Sequence, residues 1–81
     1  MSELARLFCS TLPGTAAALE QLRGRLGADA AVTDAVRRLA HSLRGSGGTY
    51  GFAAISAAAA AVEDASAAEL DAGVQSLLAE L

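Results

Sequence analysis

The central stretch of the chain, residues 29–50, reads DAAVTDAVRRLAHSLRGSGGTY. Its apolar side chains recur at helical intervals, at Val32, Val36, Leu39, Leu43 and, further along, Tyr50. This spacing places them on one face of an α-helix, because about 3.6 residues complete one turn. Asp29 is a suitable N-cap. The pattern predicts a long amphipathic helix, although the stretch becomes rich in glycine near its end.

Apolar residues at helical spacing also flank this stretch on both sides. Before it they are Leu4, Leu7, Phe8, Leu12, Leu19, Leu22 and Leu26. After it they are Phe52, Ile55, Ala58, Ala59 and Val62, followed by Leu70, Val74, Leu77, Leu78 and Leu81. Ser2 is a suitable N-cap for the first series, and Gly27 a stop signal after it. The segment Ser66-Ala-Ala-Glu69 has the form of a capping box and predicts the start of the last helix.

Pro13 lies inside the first series, where it removes one backbone hydrogen bond. A kink or a new helix is expected there, so the chain has four helices, or five with a short extra N-terminal helix. Short connections make sequential helices antiparallel neighbours. We therefore expect an all-α protein in which residues 1–81 form a single domain, an antiparallel up-down four-helix bundle.

The composition agrees with this fold class. Of the 81 residues, 53% are hydrophobic, but alanine supplies much of that fraction and only Phe8, Tyr50 and Phe52 are aromatic. Such a composition favours close-packed helices over sheets. A chain of this length has room for one small domain.

Charge and cysteine content exclude several classes of function. The net charge is −3 and every basic residue is arginine, so the chain lacks the positive surface of a nucleic-acid binder. Cys9 is the single cysteine; it permits neither an internal disulfide nor a cysteine-based zinc site, and it favours a reducing compartment. Residues 7–19 and 45–62 are uncharged, but their Gly, Ser and Ala content suits a membrane poorly. We expect a soluble, cytoplasmic protein without a signal peptide.

Most enzyme signatures are missing as well. One histidine cannot form a two-histidine metal site, and Tyr50 stands where a dinucleotide-binding loop needs its third glycine. Carboxylates are scattered singly apart from Glu63-Asp64, which we interpret as a solvated helix end.

His41 is the residue whose position indicates chemistry. It falls on the side of the central helix opposite Val32 and the other apolar residues, so it points to solvent. That direction disfavours a core histidine. An incidental surface histidine is the stronger alternative.

The neighbours of His41 favour a function. Gly45 and Gly48 follow it at one and two turns, and glycine inside a helix costs up to about 1 kcal/mol relative to alanine. Clearance for a close partner explains that cost. Arg37, Arg38 and Arg44 add positive charge around the same face. An exposed imidazole beside bare backbone and positive charge suits a transferable phosphoryl group. The alternative is a solvated arginine face followed by a glycine-rich loop.

The segment His41-Ser-Leu43-Arg44-Gly45-Ser46-Gly47-Gly48-Thr49-Tyr50-Gly51 resembles the phosphorylation motif of histidine-containing phosphotransfer (Hpt) domains. That motif is a His, then x-Leu-Lys-Gly, two small residues and a downstream Gly. The stretch Arg37-Arg38-Leu39-Ala40 and the pair Leu12-Pro13 also resemble the family. Arginine replaces the usual lysine at position 44, and the motif is unusually rich in glycine.

The resemblance implies a four-helix bundle in which His41 is exposed midway along a helix that runs through the glycine cluster. His41 would accept a phosphoryl group on an imidazole nitrogen from a receiver-domain aspartate or a kinase, and pass it to another receiver. Neutral imidazole is the nucleophile, and an ordinary imidazole is mostly neutral at pH 7. Arg44 would hold charge on the transferring oxygens, and Gly45 and Gly48 would give the receiver room. The chain would be a carrier without catalytic activity or a cofactor of its own, since the receiver supplies Mg²⁺.

The implied partners are response-regulator receiver domains and a sensor or hybrid histidine kinase, bound by a monomer. Arg37, Arg38 and Ser42 are candidates for the partner-binding face, with Leu12, Pro13 and Ala40 as its apolar margin. The arginine- and alanine-rich composition hints at a bacterial source, and Met1 favours a complete small protein.

Two alternatives to the phosphocarrier stay open. One is the dimerisation and phosphoacceptor hairpin of a sensor histidine kinase, although Ser42 and the glycines after it depart from that pattern. The other is a helical interaction module in which His41 is incidental and carries no phosphoryl group.

Overall fold

The computed structural model describes residues 2–81 and contains four α-helices. These are α1 (Glu3–Arg23), α2 (Ala30–Thr49), α3 (Ala53–Asp64) and α4 (Leu70–Glu80). Residues 2–81 contain no strand, so the predicted all-α class is confirmed. None of the helices in this part of the chain has the length and hydropathy needed to cross a membrane.

Each helix packs against two others, α1 and α3 both lying between α2 and α4. The ring of Phe8, near the start of α1, lies 5.5 Å from the rings of Tyr50 and Phe52, just after the end of α2. At the other end of α1, Arg23 Nε donates a 2.8 Å hydrogen bond to Asp71 Oδ1, near the start of α4. At one end of the bundle, the start of α1 therefore meets the end of α2. At the other end, the end of α1 meets the start of α4.

Buried apolar side chains from all four helices meet in one core. They are Phe8, Leu12, Leu19, Val36, Ala40, Leu43, Ile55, Ala59, Val62, Leu70, Val74 and Leu77. The apolar face predicted for the central stretch is the buried face of α2, and Leu39 and Tyr50 pack at its margin. Because no polar side chain of the described residues is fully buried, polar chemistry is confined to the surface.

Helix α1 continues through Pro13, so the extra N-terminal helix considered from the sequence is wrong. Proline removes the N–H that would donate to Cys9 O. The hydroxyls of Ser10, Thr11 and Thr15 donate to other carbonyls, those of Leu7, Phe8 and Thr11, and do not replace this bond. Buried residues on both sides of Pro13, including Leu12 and Leu19, hold the two halves against the same core. Tertiary packing therefore outweighs the loss of one hydrogen bond.

Two helix boundaries differ from the predicted ones. Helix α1 ends at Arg23, about a turn before Gly27, although Leu26 still packs against the core. At the other boundary, Ser66 N–H donates to Glu69 Oε1 at 3.1 Å, which is one half of a capping box. The hydroxyl of Ser66 donates to the same oxygen instead of capping a backbone N–H, and α4 begins after this turn at Leu70.

The glycine-rich segment is helical as far as Thr49, so the loop alternative is wrong. A Cβ on Gly47 would lie 3.1 Å from Ser56 N and 3.3 Å from Phe52 O, both of which are backbone atoms of the next segment. Phe52 N–H donates to Gly47 O at 2.7 Å, and Gly51 has a φ of 84°, as in a Schellman helix end. Gly47 thus lets the backbones of α2 and α3 approach closely.

Substituting Gly47 with alanine is expected to destabilise the fold. The added methyl would force α2 and α3 apart, and overpacking of this kind costs about 1–3 kcal/mol. This cost exceeds the helix-propensity gain of about 1 kcal/mol. Gly45→Ala is the matched control, because nothing lies within 4 Å of a Cβ there, and it is expected to raise stability. Urea unfolding measures both variants; equal stabilisation by the two would contradict this packing role.

Candidate functional site

Helix α2 presents His41 on the surface opposite the core. The side chains of Val36, Ala40 and Leu43 face inward, whereas the His41 side chain is 79% exposed. The predicted outward direction of His41 is therefore confirmed, and the disfavoured alternative of a core histidine is wrong. The ring is accessible to a large partner.

Glu63 is the direct partner of His41. The His41 Nδ1 and Glu63 Oε2 atoms are 3.0 Å apart, within hydrogen-bonding distance. The Glu63 side chain is only 20% exposed, so its interpretation as part of a solvated helix end is wrong. Asp64, the next residue, is exposed as expected. Glu63 is shielded because the chain folds back on itself between α2 and α3, so that α3 packs on α2.

The α2–α3 hairpin brings His41 and Glu63 together. Both residues lie eleven positions from Phe52, at which the chain reverses direction. Further along the same pair of helices, Ser56 Oγ donates to Arg44 O at 2.9 Å. In a hairpin centred on Phe52, residues at equal distances from the turn lie side by side. This relation could have identified Glu63 from the sequence.

Arg44 approaches the second oxygen of the same carboxylate. Arg44 Nη1 lies 3.5 Å from Glu63 Oε1, longer than an ordinary N–H···O hydrogen bond of about 2.9 Å. Within residues 2–81, Oε1 is buried and accepts no hydrogen bond. The Arg44 side chain is 53% exposed, so this contact leaves much of its guanidinium facing solvent.

The surroundings of Glu63 favour its ionised form. The hydrogen bond from His41 is the largest cause that lowers the Glu63 pKa, and the charges of His41 and Arg44 act in the same direction against desolvation. The last turn of α3 has no basic residue of its own, and a carboxylate at a helix C-terminus is disfavoured by the helix dipole. The compensating positive charge comes from α2.

The three arginines near His41 differ in their surroundings. Arg37 is half-buried and donates hydrogen bonds to backbone carbonyls at the end of α3, so its guanidinium is already engaged within the bundle. This placement replaces its expected position on the partner-binding face. Arg38 and Ser42 are exposed, and helical geometry puts both on the side of His41 away from Arg37 and Arg44.

The glycines after His41 also differ from one another. A Cβ on Gly45 would meet no atom within 4 Å, so the surface one turn from His41 is open. Gly48 is exposed as well, but a Cβ there would contact Ser56 Oγ at 3.6 Å. Of these three glycines, Gly47 makes the closest contact with α3, although the sequence predicted no role for it.

The apolar margin expected near this site is smaller than predicted. Leu12 and Ala40 are buried in the core and cannot contact a partner, whereas Pro13 is exposed. Only one of the three predicted residues therefore reaches the surface.

The geometry distinguishes the two nitrogens of His41. A neutral imidazole that donates Nδ1–H to a carboxylate carries its lone pair on Nε2. With Nδ1 engaged by Glu63, Nε2 is the nitrogen available for nucleophilic attack on an incoming group. Within residues 2–81, no three His, Cys, Asp or Glu side chains are grouped to hold a metal ion.

The Glu63 carboxyl is expected to titrate below the ordinary value for glutamate, and His41→Ala is expected to raise its pKa, because the largest stabilising contact is removed. Because the Glu63 pKa is lower in the folded than in the unfolded state, the ionised carboxylate stabilises the fold at pH values above the unfolded-state pKa. This stabilisation is lost as the pH falls through the lower, folded-state pKa. Carboxyl ¹³C NMR measures the midpoint, and Arg38→Met is the control. An unchanged midpoint in His41→Ala would contradict the contact.

Comparison with known proteins agrees with this site. A family model described as the Hpt domain matches residues 3–81, almost the whole chain. No curated protein and no solved structure shows a significant match. Hpt domains are helical phosphocarrier modules that interact with receiver domains and kinases in phosphorelays. The resemblance stated from the sequence is therefore confirmed, and the chain belongs to the Hpt domain family.

Proposed function

We propose that this chain carries phosphoryl groups on His41 Nε2 between the proteins of a phosphorelay. The donor is the aspartyl phosphate of a receiver domain or a histidine kinase, and the acceptor is the aspartate of another receiver. The observation that carries the proposal is an exposed imidazole whose Nδ1 is engaged by a carboxylate.

Phosphorylation needs no general base in this arrangement. The Nε2 lone pair attacks phosphorus, the N–P bond forms, and the P–O bond to the donor aspartate breaks. The aspartate leaves as a carboxylate with the bonding electron pair. The imidazole retains its Nδ1 proton and gains positive charge, which Glu63 stabilises at a distance of 3.0 Å.

Onward transfer reverses these steps. A carboxylate oxygen of the next receiver attacks phosphorus, the N–P bond breaks, and His41 leaves as a neutral imidazole. Because Glu63 stabilises the charged ring without taking its proton, the same arrangement supports transfer in both directions. Glu63 therefore acts on His41 rather than on the phosphoryl oxygens.

Arg44 is proposed to stabilise the phosphoryl oxygens. Its guanidinium is about half exposed and only loosely paired with Glu63 at 3.5 Å, so it can turn toward a phosphoryl group on Nε2. Guanidinium groups bind phosphate oxygens well because their N–H donors match them in pairs. We propose that the receiver supplies Mg²⁺ and the acidic pocket, so this chain needs no cofactor of its own.

The proposed receiver contacts surround His41 on its open side. Gly45 provides clearance, Arg38 provides positive charge toward an acidic pocket, and Ser42, the residue after His41, is exposed. Pro13 is exposed on α1. Gly48 borders the cleft between α2 and α3 and extends the clearance. Arg37 is left out of this face because it is engaged with α3.

Wild-type protein is expected to acquire label from a radiolabelled phospho-receiver, whereas His41→Gln is not, because glutamine lacks the nucleophilic nitrogen. The label should be acid-labile and base-stable, as a phosphoramidate is. Circular dichroism of both proteins controls for folding. Equal labelling of the two proteins would exclude His41 as acceptor, and no label on either from several receivers would favour a helical interaction module.

A bulky side chain at position 45 is expected to block the receiver without unfolding the bundle. Gly45→Leu should lower the second-order rate constant of transfer at least about tenfold, which corresponds to about 1.4 kcal/mol. Gly45→Ala should have a smaller effect. Ala72→Leu is the matched control, since Ala72 is an exposed residue of α4, which does not pack on α2. An equal loss in Gly45→Leu and Ala72→Leu would argue against clearance.

A further inference from the structure

We propose that Arg37 is a positioning residue that holds the end of α3 so that Glu63 stays on Nδ1 of His41. Its effect on transfer rests on the proposed phosphocarrier function. Its effect on the tautomer of His41 does not, and the two can be measured separately.

The guanidinium of Arg37 binds three carbonyl oxygens at the end of α3. Arg37 Nη1 donates to Glu63 O at 2.8 Å and to Val62 O at 3.3 Å, and Nη2 donates to Ala65 O at 2.8 Å. The last carbonyls of a helix have no partners within the helix. Since the last turn of α3 contains no basic residue, a side chain from α2 serves as its C-terminal cap.

Arg37 and His41 hold opposite ends of the same residue. Arg37 binds the backbone carbonyl of Glu63, while His41 contacts the carboxylate of Glu63 at 3.0 Å. Arg37 precedes His41 by four positions and Arg44 follows it by three, so all three lie along one stripe of α2. This stripe fixes both the position of the α3 end and the direction of its carboxylate.

Small movements at this end of α3 are sufficient to break the contact. A displacement of about 1 Å would lengthen the Nδ1–Oε2 distance beyond the hydrogen-bond range. Besides His41, the described residues offer the Glu63 carboxylate only the longer ion pair with Arg44, at 3.5 Å from Oε1. Loss of the Arg37 bonds therefore acts on His41 through Glu63.

The chain suits a direct test because it contains one histidine. In protein labelled with ¹⁵N-histidine, the two ring nitrogens report the tautomer at about pH 9, where an ordinary imidazole is neutral. Arg37→Met removes the donors and keeps an aliphatic stem, and Arg25→Met is the matched control at an exposed arginine outside the site. Glu63→Ala, which removes the acceptor, and the double variant Arg37→Met/Glu63→Ala complete the set.

Arg37→Met is expected to shift the ring from Nδ1–H toward Nε2–H, while Arg25→Met retains the wild-type tautomer population and transfer rate. Phosphoryl transfer should slow about tenfold in Arg37→Met, at the low end of the losses seen when a group that orients a histidine is removed. In the Glu63→Ala background, where no side-chain acceptor is left for Nδ1–H, Arg37→Met should cause no further loss. Wild-type tautomer and rate in folded Arg37→Met, or an additive loss in the double variant, would overturn the proposal.

Arg37→Lys keeps the proposal falsifiable if the methionine variant does not fold. One ammonium group cannot reproduce the planar fork that spans these carbonyls, so a partial shift of the tautomer is expected. A wild-type tautomer in Arg37→Lys would then overturn the positioning role. The NMR comparison needs no phosphodonor, so an unphosphorylated wild-type protein would refute the proposed function and still leave the role of Arg37 to be decided by the tautomer.

Discussion

The close approach of α2 and α3 at Gly47 is the constraint on which the rest of the site depends. A side chain there would meet the backbone of Phe52 and Ser56 at 3.1–3.3 Å, so any residue other than glycine would require this backbone to shift. The short turn that follows returns the chain directly along α2. This return sets the register of the hairpin, and the register places the last turn of α3 beside the middle of α2, where His41 lies.

Positive charge on α2 then stabilises the Glu63 carboxylate that this register places beside His41. A carboxylate at the end of α3 is unfavourable by itself, because the helix dipole and partial burial both oppose its charge. The exposed side of α2 offsets this with His41 and Arg44 at the carboxylate, and Arg37 at the backbone carbonyls. The result is a charged group that is held in place by its partners and that in turn orients the imidazole.

A phosphocarrier needs few chemical groups of its own, and this bundle keeps its polar groups on the surface, separate from an apolar core. The core contains only apolar side chains, and among the described residues no polar side chain is fully buried. In the function proposed above, the chemistry is carried by one stripe of α2 and one residue of α3. A nucleophile on a rigid helix, with open space one turn away at Gly45, can be reached by a large partner that brings the remaining groups. Under the proposed function, the protein itself needs only to orient one ring and stabilise its charge.

Helical periodicity made four amphipathic helices predictable from the sequence, together with the outward direction of His41 and the family motif around it. These features are local, since each depends on residues a few positions apart along one helix. At Pro13, hydrophobic packing keeps α1 helical where proline alone predicts a break. The helical conformation of the glycine cluster is explained by its contact with α3, which the sequence does not show. Glu63 could not be identified as the partner of His41 because the two residues are 22 positions apart. The hydrogen bonds from Arg37 to the end of α3 span 25–28 positions and cannot be predicted from the local sequence for the same reason. Long-range contacts depend on how one helix packs on another, and a single sequence specifies that register only through the three-dimensional fold.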